Sequence, residues 1–314
     1  MSTAPASTGS IPAQIQAAER SNNTEKAVTS SLIGVTVLIF FILILFPLFS
    51  LSTYAAREGF GIFLDRLIQP NARAALALTM EVALATTLVN LIVGTAVAFV
   101  LARSSIRGKA VLDALVDIPL AIPTVVIGFA LLLLYGPKGL VGQFLYQAGL
   151  KVMFSFPGIL LAHVFVTFPF MVRAVGTVLE GFDTNYEKAA KTLGASNLQT
   201  FLYVTLPSLR GSLIAGGVLT FAKSLGEFGA TMMVSGNLIG RTQTGPLYIY
   251  SRFNTGDLEG ASAIALALAA FSFVILFVLK VVTTGKSSRV EGDFGLDRAS
   301  DGRKRPDEEG GSAR

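Results

Sequence analysis

Six stretches of this chain carry apolar or small residues for twenty or more positions each, at 31–51, 74–101, about 115–135, 156–175, 213–234 and 261–282. A core facing water has no use for runs of that length. At about 1.5 Å of rise per residue, twenty helical residues cross a hydrocarbon layer about 30 Å thick. Lipid offers the backbone no hydrogen-bond partner, so each run must satisfy its own N–H and C=O groups, and a helix does so. The expected fold class is an all-α membrane protein with six transmembrane helices. Composition agrees, with 52% of the 314 residues hydrophobic and 14% charged, against about 25% charged in soluble domains. The first run is longer and later than the h-region of a signal peptide, about 7 to 15 residues, and reads as an anchor.

Two of the runs are impure. Glu81 interrupts the second, in what the run's boundaries make its first two turns, and suits an interfacial position near the outer face. The third opens DIPLAIP, where Pro119 and Pro123 should break the helical ladder near one membrane face. Pro157 suits a helix start and Pro169 a kink in the fourth run. Between the third and fourth, residues 137–153 fit a short surface helix. The polar tails 1–30 and 283–314 lack an apolar stripe and should be disordered, which leaves 31–282 as the transmembrane domain.

Charge sets the orientation. Of the 25 Lys and Arg residues, 17 fall on the side of the termini, seven on the other, and Lys223 lies within the fifth run. The positive-inside rule then puts both termini in the cytoplasm and makes the chain a multi-pass protein of the cell membrane. The same residues limit the chemistry. Zero Cys excludes disulfides, thiolate zinc sites and iron–sulfur clusters, and the single His163 excludes any metal site needing two imidazoles. No clustered carboxylates supply a catalytic set, so no catalytic residues, metal or cofactor are expected, and the chain should not be an enzyme. Thr284-Gly285-Lys286-Ser287 ends like a phosphate-binding loop but has Lys280 where its first Gly should stand.

The longest cytoplasmic segment, 183–207, is the most informative. Asp183 and Asn185 can cap a helix through Tyr186, Glu187, Ala189, Ala190 and Leu193, which Gly194 should stop. Ser196 or Asn197 can cap a second helix that Pro207 ends. Leu193, Phe201 and Val204 are the residues expected to anchor this protrusion to the span ends. The spacing Ala189-Ala190, three residues, Gly194, nine residues, then Val204, Thr205, Leu206 and Pro207 resembles the EAA loop of ABC importer permeases. The leading Glu of that loop would fall at Lys188, with Glu187 one position earlier. FAKSLGEFGATMMVSGNLIGRTQTGPLYIY and DALVDIPLAIPTVVIGFALLLLYG are similar to the oxyanion branch of these permeases, the molybdate, tungstate and sulfate transporters. GNLIGRTQTGPLYIYSRFNTGDLEGA is more like the molybdate proteins, and IPTVV with LYGPKG more like the sulfate ones.

The resemblance implies a type I importer fold and a role as the permease subunit for a tetrahedral oxyanion: molybdate, tungstate, sulfate or thiosulfate. It implies an ABC ATPase dimer docked on Glu187, Lys188, Ala189, Ala190, Leu193, Gly194, Ala195, Ser196, Leu206 and Pro207, with ATP hydrolysed there and not on this chain. A second permease chain, most simply a homodimer mate, and an extracytoplasmic oxyanion-binding protein complete the expected partners, with the lipid bilayer around them and no nucleic acid. Lys223 and Glu227, four apart, would share one face of the fifth helix, and with Ser224, Gly226 and Gly229 they are the candidates for a translocation path or gate. Gly226 and Gly229 would allow a close crossing there. His163 should make an interhelical hydrogen bond. The alternative is a secondary transporter or channel for small anions that needs no ATPase, but the two halves show no clear repeat.

Overall fold

The computed structural model describes residues 26–277 except 27, 58, 105 and 106, and every regular element among them is helical. Long helices run at Val28–Ala56 (α1), Pro70–Arg103 (α3), Phe156–Gly181 (α7) and Leu258–Phe277 (α13). Between them lie Phe60–Ile68 (α2), Lys109–Ala121 (α4), Thr124–Tyr135 (α5), Gly142–Gln147 (α6), Asn185–Thr192 (α8), Asn197–Ser208 (α9), Arg210–Leu225 (α10), Gly229–Ser235 (α11) and Gly245–Asn254 (α12). Among the described residues, four helices are long and apolar enough to cross a membrane, or up to six spans if the bent pairs α4–α5 and α9–α10 each count as one. The expected tails fall largely outside the described residues, and α1 already begins at Val28.

The centre of the bundle is α3, α7 and α10, each packed on the other two. One apolar cluster joins Val82 of α3, Ile127 and Leu131 of α5, Ile159 and Val166 of α7 and Val234 of α11. A second joins Ala98 and Leu101 of α3, Val116 of α4, and Met171, Val175 and Leu179 of α7. By contrast α1 has no buried residue from Val28 to Ser50, and its apolar surface faces outward all round.

Two expected spans are broken rather than straight. The third bends by 109° between α4 and α5. Pro119 lies inside α4, and the break falls at Ile122, which precedes Pro123 and is held extended at φ −95, ψ 134. The fifth stops at Leu225, turns through Gly226, Glu227 and Phe228, and resumes as α11. Two π-helical turns, Phe41–Leu45 and Phe201–Thr205, share one cause. Pro47 and Pro207 follow them and bring no N–H to the ladder, and the N–H groups of Phe46 and Leu206 reach back five residues to the carbonyls of Phe41 and Phe201. In α7, Pro157 occupies the first turn and Pro169 sits within an unbroken helix.

Small residues let the broken halves meet. A Cβ on Gly128 of α5 would lie 2.6 Å from the Ala230 carbonyl oxygen, and one on Gly229 would strike Thr124 Oγ1. So α5 and α11 pack backbone to backbone. Gly226 does not share this role, because it sits in the turn between helices with open space around it. Because α3 begins at Pro70, Glu81 lies three turns into the helix rather than in its first two, and it is exposed on the helix surface.

The topology carries a direct test. In a chain with no native cysteine, Ser196→Cys should react with a membrane-impermeant thiol reagent only from the cytoplasmic side. Ile239→Cys, on the exposed loop after α11, should react only from outside. The opposite labelling pattern would invert the orientation.

Candidate functional site

The segment 183–207 folds as its caps dictate. The Asn185 N–H donates to Asp183 Oδ1 at 2.9 Å as the chain enters α8. At the far end Gly194, at φ +89, closes the helix: its N–H donates to Lys191 O and the next N–H, of Ala195, to Ala190 O, both at 3.0 Å. That is a Schellman motif, and its positive φ is why glycine stands there. Ser196 then caps α9 in a reciprocal box, with the Gln199 N–H donating to Ser196 Oγ at 3.3 Å and the Ser196 N–H to Gln199 Oε1 at 2.8 Å.

The expected docking residues divide into two sets. Lys188, Ala189, Leu193, Gly194 and Ser196 are exposed, while Ala190, Ala195, Leu206 and Pro207 are half-buried. Leu193 does not anchor the protrusion as expected. It is 88% exposed at the C-terminal cap of α8. Phe201 does anchor it, edge-on to Phe99 of α3 with ring centroids 5.3 Å apart. Glu187 turns inward: its Oε1 accepts from Arg103 Nη2 at 3.0 Å and from Thr205 Oγ1 at 2.9 Å.

Within the bundle a polar node sits at the break in the fifth span. His163 of α7 is buried, with Nδ1 2.7 Å from Ser224 Oγ and Nε2 2.7 Å from Thr231 Oγ1, so one imidazole ties α7 to both α10 and α11. Glu227 belongs to the turn, not to a continuous helix with Lys223. Its Oε1 accepts the Ala230 N–H at 3.1 Å, capping α11, and its Oε2 stands 3.4 Å from Lys223 Nζ. The pair is asymmetric, with Glu227 1% and Lys223 42% exposed. Of the five path candidates, Ser224, Glu227 and Gly229 face the interior, and Lys223 and Gly226 face outward. Lys223 lies in the last turn of α10, about 20 Å along the helix from Arg210.

A family model described as a binding-protein-dependent transport system inner membrane component matches residues 90–288. The chain belongs to that family. It is similar to the sulfate transport system permease protein CysW of Synechococcus elongatus, 39% identical over 83% of this chain and 92% of the relative. It is also similar to the sulfate transport system permease protein CysT of Salmonella typhimurium, 38% identical over 83% and 94%. Among solved structures, a bacterial alginate ABC transporter in complex with its periplasmic protein superposes with a TM-score of 0.69 at 16% identity, over 82% of this chain and 94% of that one. That likeness shows the fold of an ABC transporter permease.

Sequence reasoning missed the ionic clamps, among them Asp257 held by Arg66 at 2.7 Å and by Arg252 at 3.3 Å. Arg173 of α7 holds Asp113 and Asp117 of α4, with Nη1 2.7 Å from Asp113 Oδ1, and Nε and Nη2 2.9 and 2.6 Å from the two oxygens of Asp117. The i, i+4 spacing of Asp113 and Asp117 was the available signal. Arg103 at the end of α3 gave no signal, since its partner Glu187 lies 84 positions on.

The asymmetry of the membrane pair predicts unequal single mutants. Lys223→Met strands a buried carboxylate and should lower stability in detergent by about 2 kcal/mol, discounted for the half-exposed ammonium. Glu227→Gln keeps an acceptor for the Ala230 N–H and should cost about 1 kcal/mol. The double variant should lose less than the sum, measured as a thermal double-mutant cycle. Additive losses would mean that the two charges are not partners.

Proposed function

We propose that this family member is the permease subunit of an ATP-driven importer whose cargo is sulfate. The carrying observation is the relatedness to two sulfate permeases across most of both chains, at 39% and 38% identity. A separate ATPase dimer hydrolyses ATP and docks on the exposed face of α8 and the tip at Leu193. The segment supports the reading, since Tyr186, Leu193, Leu198 and Tyr203 are all exposed there, at 64%, 88%, 66% and 78%, which is more apolar surface than single scattered residues supply. A second copy of the chain closes the passage, and an extracytoplasmic binding protein delivers the anion. The face of α10 carrying Lys223 lines that passage, where an ammonium already balanced by Glu227 offers a dianion a contact weak enough to leave.

The test is uptake of labelled sulfate into proteoliposomes holding the chain, its ATPase and its binding protein. Sulfate should accumulate only with ATP on the ATPase side, and excess molybdate should compete poorly. Strong competition by molybdate would reassign the cargo, and uptake without the ATPase would favour a channel or secondary transporter.

The left-handed position gives a second outcome. Gly194→Val introduces a β-branched residue at φ +89 with no clash around it, a local cost of about 1–2 kcal/mol. Insertion should be normal while transport falls. Normal transport in this variant would remove α8 from the docking site.

A further inference from the structure

We propose that Arg103 is the positioning residue that transmits movement of α8 to the membrane core, so that transport depends on the Arg103–Glu187 contact. This rests on the reading that the ATPase docks on α8. The helix itself has no buried residue, and its one ring contact, Tyr186 with Phe182 at a centroid distance of 6.0 Å, leaves Tyr186 64% exposed, so apolar burial holds it only weakly to the bundle. The stronger attachment is polar. Arg103, the last residue of α3, donates from Nη2 to Glu187 Oε1 at 3.0 Å and from Nη1 to the Leu179 carbonyl of α7 at 3.3 Å. Thr205 of α9 donates to the same Glu187 oxygen at 2.9 Å. Both charged side chains are largely withdrawn from solvent, Arg103 20% and Glu187 16% exposed, so the pair is weakly screened. The guanidinium also lies over the Phe182 ring, 5.7 Å from its centroid, at the entry to the loop. One guanidinium therefore joins the ends of α3 and α7 to α8, and through the shared carboxylate to α9.

That placement has a mechanical consequence. The same α3 packs along α7 and α10 through the bundle, so a pull on α8 reaches all three central helices through Arg103. Without the clamp, α8 can follow the ATPase by turning about its short connections at 182–184 and 193–196 while the bundle stays behind.

The experiment measures sulfate transported per ATP hydrolysed in the assembled transporter, alongside the amount of ATPase subunit bound. Arg103→Gln should keep ATPase binding and hydrolysis and lower the transport ratio by about tenfold, the scale of one lost charge-assisted hydrogen bond. Arg103→Lys, which can still reach Glu187, should recover part of the ratio. For a version independent of side-chain packing, Arg103→Cys combined with Glu187→Cys should be uncoupled when the thiols are free. A short bifunctional thiol reagent should restore coupling, and the chain has no other cysteine to react. An unchanged transport ratio in Arg103→Gln, or loss of ATPase binding in that variant, would overturn the proposal. So would failure of the cross-link to restore coupling. Failure of the unaltered chain to bind an ATPase would instead overturn the functional reading beneath it.

Discussion

Every feature of this bundle answers to the cost of an unpaired backbone group in hydrocarbon. A straight helix meets that demand by itself, and α3 and α7 do so over 34 and 26 residues. The informative places are the breaks, where N–H groups are set free and something must take them up. At the start of α11 the Glu227 carboxylate takes the Ala230 N–H. Between α4 and α5 the break is placed at Pro123, which has no N–H to lose. Both π turns solve the same problem by letting the residue before a proline reach one carbonyl further back.

From those breaks follows the polar node of the bundle. Ending α10 at Leu225 brings Ser224 and Thr231, on separate helices, to the two nitrogens of His163. It also moves Glu227 off the helix and into a cap, so one oxygen serves the backbone and the other faces Lys223. The node is thus a joint between the two halves of the fifth span, and it is stabilised by short packing at Gly128 and Gly229. Its one outward group is the Lys223 ammonium.

In the segment 183–207 the same economy of contacts appears in another form. Here water satisfies backbone groups, and local capping shapes the segment: the Schellman closure at Gly194 and the reciprocal box of Ser196 and Gln199. These caps set the shape of α8 and α9 without tying them to the membrane domain. Phe201 against Phe99 ties α9, and Glu187 with Arg103 ties α8. Shape and attachment therefore rest on different residues.

Local rules made much of this legible from the residues alone. Long apolar runs meant membrane helices, Gly194 meant a helix end, Ser196 or Asn197 meant a cap, and the spacing from Ala189 to Pro207 pointed to the family. Each depends on neighbours within about twenty-five positions along the chain. Hydropathy could not see the break at Gly226–Phe228, because an apolar run reads the same straight or bent. Nor could it tell that Leu193 would stand exposed or that Glu187 would turn inward, since i, i+4 reasoning assumes one continuous helix and knows nothing of a helix end 84 residues earlier. The sequence by itself determined which segments enter the membrane and where the short helices start and stop, because propensity, capping and transfer into lipid are local. Only the tertiary structure decided which polar groups meet, because the partners of His163, Arg173 and Glu187 lie on other helices and packing alone brings them within hydrogen-bond reach.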